Sequence, residues 1–171
     1  LSITGEANLI LCDGAKLTVQ QGITTTGATL NIYAQSGDSG VLFAGTTGGT
    51  TRTCLQGNAG IGGNPNNRGG AVNIHGGSVT AIGGSYAAGI GSGLGSSINH
   101  DINGGAITIY GGTVNATAGA ISAGIGGGYE ADSGNITING GTVNANSSSG
   151  AGIGGGNYSY TIDGNKITIN G

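Results

Sequence analysis

Residues 124–145, GIGGGYEADSGNITINGGTVNA, hold one full copy of a pattern that the chain repeats on both sides. Its first piece is a glycine-flanked isoleucine: AGIGG at 59–63, AGIGSG at 88–93, AGIGGG at 123–128 and again at 151–156. The second is AVNIHGG, AITIYGG, NITINGG and KITING, beginning at Ala71, Ala106, Asn135 and Lys166. The third is SVTA, TVNA and TVNA, beginning at Ser78, Thr113 and Thr142.

The three pieces keep step. Ile61, Ile90, Ile125 and Ile153 lie 29, 35 and 28 residues apart. Ile74, Ile109, Ile138 and Ile169 lie 35, 29 and 31 apart, and Val79, Val114 and Val143 lie 35 and 29 apart. Series that lengthen and shorten together mark a repeat architecture whose units stack on their neighbours. Within a unit, Ile136-Thr137-Ile138 and Thr142-Val143-Asn144 alternate apolar and polar residues, which is the period of a strand. Gly-Gly between such runs turns the chain sharply. The expected fold is all-β: a right-handed parallel β-helix, a solenoid of about 28–35 residues per coil. Ile and Val should line its interior, and Thr, Asn and Ser its outside.

The chain has 171 residues, among them 42 glycines and one proline. So much glycine would suit disorder if aperiodic, but here it is spaced between β-branched residues. The whole of 1–171 reads as one β-helix domain, with degenerate coils over 1–57 and regular repeats over 58–171. In the degenerate part, Leu30-Asn31-Ile32 matches Val72-Asn73-Ile74 at a distance of 42. The Thr/Gly-rich run 45–53 supplies the longer excursion between them. A start at Leu1 and a stop inside a repeat at Gly171 suggest a piece of a longer protein.

Only 6% of residues are charged, the net charge is −3, and Lys plus Arg number 4. That is too little positive charge for a phosphate-tracking stripe, so nucleic acid is excluded as a partner. No apolar run approaches membrane-spanning length, so no membrane insertion is expected. Cys12 and Cys54 fit no metal spacing; they either form a disulfide or remain two separate small residues.

Variation concentrates after the AGIG piece, in NPNNRGG, LGSSINHDINGG, YEADSG and NYSYTIDGN. Loop variation at one corner of a solenoid is where binding surfaces arise. Tyr129, Glu130, Asp132, Tyr158, Tyr160 and Asp163 are the candidate ligand-binding residues there, with Tyr86 before the second AGIG. An aromatic ring beside carboxylates offers a sugar an apolar face and hydrogen-bond acceptors together. Arg68, Asp132 and Asp163 each lie four residues before the first inward residue of the following strand and Asp101 lies six before, which predicts a rough column of Arg68, Asp101, Asp132 and Asp163. Stacked carboxylates repel unless they share a cation, so Asp101, Asp132 and Asp163 are candidate metal ligands, with calcium the fitting ion. Solvated turn aspartates are the plainer alternative. His75 and His100 have no second ligand at useful spacing; His75 is expected to face solvent beside its strand.

The string GAGIGGG…GNITINGGTVNA resembles coils of parallel β-helix modules, of the pectate-lyase-like superfamily, in secreted or wall-attached bacterial proteins. The resemblance implies an extracellular or cell-surface location and a carbohydrate-binding or adhesive role. Some members of that superfamily are polysaccharide lyases or hydrolases, but the paired aspartates and basic residue of those members are not found here. The expectation is therefore no enzyme and a polysaccharide or surface glycan as partner. Three alternatives stand beside it. One is a spacer or fibre unit that self-associates through open coil ends. Another is an ice-binding face built on Ser78/Thr113/Thr142 and Thr80/Asn115/Asn144. The third is a lyase- or hydrolase-related enzyme.

Overall fold

The structure is a computed structural model and describes residues 1–45, 57–96, 101–160 and 165–170. Three strands make each coil. The first coil is β1 (Glu6–Leu11), β2 (Lys16–Val19) and β3 (Ile23–Thr24); the second is β4 (Thr29–Ala34), β5 (Val41–Ala44) and β6 (Ile61–Gly62). The third is β7 (Ala71–Ile74), β8 (Ser78–Ile82) and β9 (Ile90–Gly91), and the fourth is β10 (Ala106–Ile109), β11 (Thr113–Thr117) and β12 (Ile125–Gly126). The fifth is β13 (Asn135–Ile138), β14 (Thr142–Asn146) and β15 (Ile153–Gly154), after which β16 (Ile167–Ile169) opens a sixth.

Strands of the same rank pair in parallel across coils. They form one six-stranded sheet, β1-β4-β7-β10-β13-β16, and two five-stranded sheets, β14-β11-β8-β5-β2 and β15-β12-β9-β6-β3. The fold is a parallel β-helix. Its register follows the sequence ladders residue for residue: Ile107 pairs with Val72 and Ile136, Val114 with Val79 and Val143, and Ile125 with Ile90 and Ile153. The degenerate part joins as expected, with Leu30 on Val72 and Ile32 on Ile74.

Two expectations are corrected. The glycine-flanked isoleucine ladder begins earlier than AGIG does, because Ile23 in the sequence GIT pairs with Ile61. Coil length is also wider than 28–35: Glu6 to Thr29 takes 23 residues, and Thr29 to Ala71 takes 42. The short coil turns tightly at Asp13–Gly14, where Ala15 N–H donates to the Cys12 carbonyl. The long one contains 46–56, which lie outside the described residues and include the expected Thr/Gly excursion and Cys54. Cys12 is exposed and carries no disulfide among the described residues.

Period-2 alternation explains the core. Ile32, Ile74, Ile109, Val79, Val114, Ile90 and Ile125 are fully buried on the inner faces of the three sheets. Each such side chain contributes about 1.5–3 kcal/mol by leaving water. On the outside, amides ladder from coil to coil: Asn73 Nδ2 donates to Asn31 Oδ1, Asn144 Nδ2 to Asn115 Oδ1, and Asn170 Nδ2 to Asn139 Oδ1.

The two-residue strands bring backbones closest together. Gly91 has φ +142°, and a methyl group on it would overlap the carbonyl oxygen of Gly126 in the next coil. Ala at this position must push two coils apart and adopt a backbone that L-residues avoid. Gly14, at φ +73°, meets nothing within 4 Å. Gly91→Ala is expected to cost at least about 3 kcal/mol and Gly14→Ala about 1 kcal/mol. Denaturant unfolding of the two variants checks this ordering.

Candidate functional site

The AGIG piece is a loop with its tip inward. Ile90 and Ile125 point to the core, while the flanking arms draw together outside it. Within a coil, Ala88 N–H donates to the Ser92 carbonyl (3.1 Å) and Ala123 N–H to that of Gly127 (2.9 Å). Further out, arms of successive coils join: Leu94 N–H to Gly57 O (2.7 Å), Tyr129 N–H to Tyr86 O (3.0 Å) and Asn157 N–H to Ile121 O (3.0 Å). The loops also stack along the helix, through Gly95 N–H to Tyr129 O (2.7 Å) and Glu130 N–H to Asn157 O (2.9 Å). The site therefore stands on hydrogen-bonded backbone, though it lies between regular strands.

Side chains at these necks make an aromatic column. The Tyr86 and Tyr129 ring centroids lie 5.8 Å apart at 58°, and those of Tyr129 and Tyr158 5.7 Å apart at 75°. Tilted and edge-to-face pairs are favourable geometries for such rings. Tyr86, Leu94, Ile121 and Tyr129 line a surface cavity of about 380 Å³. Tyr158 continues the column and is 71% exposed.

The backbone under this column is unusual. Tyr86 (φ 65°), Ile121 (57°), Glu130 (57°) and Tyr158 (56°) are all left-handed without being glycine. Tyr86 and Ile121 each stand four residues before a ladder isoleucine, where the preceding coil has Gly57 at φ 91°. Glu130 and Tyr158 stand five after one, where an earlier coil has Asn66 at φ 61°. A left-handed backbone costs a side-chain-bearing residue roughly 1–2 kcal/mol. Large side chains thus occupy positions that suit Gly or Asn, and strain of this kind gathers at functional sites.

The expected ligand residues divide. Tyr129, Glu130 and Tyr158 come together with Tyr86. Asp132 does not present a free carboxylate to solvent: it is 5% exposed, with its N–H on Ile102 O at 3.0 Å. Tyr160 is 45% exposed but is not among the described residues that line the cavity. Asp163 and His100 lie outside the described residues.

The acidic column is corrected by register. Asn103, not Asp101, bridges to Asp132. The loop before β10 is longer than its neighbours, so counting back from the strand puts Asp101 two residues out of step. Asp101 does meet Arg68, its expected neighbour in that column: Arg68 Nε donates to the Asp101 carbonyl at 2.6 Å, with Nη2 3.6 Å from Oδ2. The pair is well exposed and so contributes at most about 1 kcal/mol. Among the described residues, no three His, Cys, Asp or Glu side chains gather where they could hold a metal.

A second aromatic column was missed from the sequence. His75 does face solvent, yet it is stacked between Tyr33 (4.4 Å, 12°) and Tyr110 (4.6 Å, 7°). These three residues each follow the last inward isoleucine of their strand, Ile32, Ile74 and Ile109, so register alone would have aligned them. The same reading would have found Leu94 and Ile121, four residues after and before ladder isoleucines.

The comparisons with known proteins concern the fold. Residues 72–94, 107–129 and 136–157 match a family model described as the beta helix repeat. Each matched segment opens on an inward residue, Val72, Ile107 or Ile136, and closes at the loop neck, on Leu94, Tyr129 or Asn157. Glu130, Asp132 and Asp101 fall between the segments. No curated protein and no solved structure matches the chain.

Tyr129 is half-buried, and its phenol titrates above the ordinary tyrosine range. Burial is the largest cause, followed by the negative charge of the neighbouring Glu130 carboxylate. The neutral phenol is favoured in the folded state. That contribution is complete below the unfolded tyrosine pKa and is lost as pH rises through Tyr129's raised value. In an alkaline titration followed by phenolate absorbance, Glu130→Gln should lower the last transition, and Tyr129→Phe should remove it.

Proposed function

We propose that this β-helix is a non-catalytic carbohydrate-binding module of a bacterial extracellular or cell-surface protein. The observation that carries the reading is the Tyr86–Tyr129–Tyr158 column beside a cavity, three rings from successive loops with two of them on left-handed backbone. Such rings do nothing for the core, which Ile and Val fill from inside. Angled aromatic walls give the apolar faces of sugar rings a surface, and the phenols and Glu130 supply hydrogen bonds. The partner is a polysaccharide or surface glycan. The reading rests on the rings and Glu130 and calls for no calcium: Asn103, not Asp101, bridges to Asp132, and Asp132 is buried.

For the glycan reading, the test is an oligosaccharide binding screen, with and without EDTA. Tyr129→Ala should weaken binding about tenfold or more, and EDTA should change nothing. Tyr158→Asn separates function from folding. Relief of left-handed strain offsets the lost ring contact, so stability should stay within about 1 kcal/mol while glycan affinity falls. Undiminished binding by both variants would overturn the assignment.

A further inference from the structure

We propose that the tyrosine column selects glycans bearing free amino groups, polymers of the glucosamine type, and that Glu130 is the residue that imposes this choice. The inference rests on the carbohydrate-binding reading and names the substrate class of that site.

Ring geometry is the first support. A sugar ring alone is served well by one flat aromatic face. Here the rings are turned 58° and 75° from their neighbours, so they offer walls at steep angles. Angled tyrosine walls favour an ammonium group, which is attracted to the negative face of each ring within about 6 Å.

Charge is the second. Glu130 follows Tyr129 directly in the chain, is half-buried, and holds a left-handed backbone (φ 57°) that fixes where its side chain leaves the neck. Its N–H donates to the carbonyl of Asn157 (2.9 Å), the residue before Tyr158, which ties it to the ring column. No cation neutralises its carboxylate among the described residues, whose one ion pair is Arg68–Asp101. An ammonium placed over the rings would form a charge-assisted hydrogen bond to this carboxylate. A uronate or sulfated sugar in the same place would meet like charge. The net charge of −3 on the whole chain acts in the same direction at longer range.

The third support is what the position holds in other coils. Five residues after the ladder isoleucine stand Asn66, Gly95, Glu130 and Tyr158. Glu130 is the one charged residue in this file, and it sits between Tyr129 and Tyr158 where the aromatic contacts are densest.

The test compares three oligosaccharides of similar length by calorimetry at mildly acidic pH, where sugar amines are protonated. They are chitosan oligomers, their N-acetylated counterparts and polygalacturonate oligomers. The wild-type protein should bind the chitosan oligomer about tenfold more tightly than the N-acetylated one, and the uronate most weakly. Glu130→Gln, which keeps the size of the side chain, should erase the chitosan advantage, so that the variant binds the chitosan and N-acetylated oligomers with similar affinity, and preserve the thermal midpoint. Added salt should shrink the wild-type preference and leave the variant unaffected. If the wild type binds all three equally, or Glu130→Gln retains the preference, the amino-glycan inference falls while the carbohydrate reading stands. If no oligosaccharide binds, both fall.

Discussion

Parallel stacking of one coil on the next, backbone to backbone, is the constraint on which everything else in this molecule depends. Each coil must present the same shape to its neighbour, or the ladders open. At the two-residue strands that demand is most severe, since the carbonyl of one coil fills the space where the next would carry a side chain. Glycine in AGIG is thus not a sign of looseness. It is what lets five coils close around a core only a few side chains wide, with Ile and Val from three sheets meeting at its centre.

Much of this could be read from the sequence, because a two-residue alternation between glycine pairs leaves few other folds. The inward files of Ile74, Ile109 and Ile138 and of Val79, Val114 and Val143 carried that information, and register bore them out. Loops were a different matter. Where strands align, one residue of sequence offset is one residue in space. In the longer loop before β10 the offset has to be counted strictly from the strand that follows: Asn103 and Asp132 each stand four residues before Ile107 and Ile136 and bridge, whereas Asp101, at six, is out of step. Tyr129 and Tyr158 were legible as site residues, since they follow an anchor shared by every coil. Leu94 and Ile121 were legible by the same offset from that anchor, although an aliphatic side chain in a glycine-rich stretch reads first as core.

The two aromatic columns show one period producing different surfaces. Tyr33, His75 and Tyr110 stand on strand ends, where the ladder holds them nearly parallel and about one coil apart, so that both faces of His75 are covered by its neighbours. Tyr86, Tyr129 and Tyr158 stand on loop necks and come from either side of them, so their rings are angled and leave faces open. Strand position favours cohesion between coils, and neck position favours contact with something else.

At the neck, main-chain hydrogen bonds run from Leu94, Tyr129 and Asn157 to the coil before, and from Gly95 and Glu130 to the coil after. Because these bonds are made by main chain, the identity of the side chain is free. Pro65, Leu94, Tyr129 and Asn157 occupy the same slot on four successive turns. The molecule thus resembles a ruled strip with one blank per line. The outer surface can be rewritten letter by letter, and lengthened by adding lines, without disturbing the page that carries it.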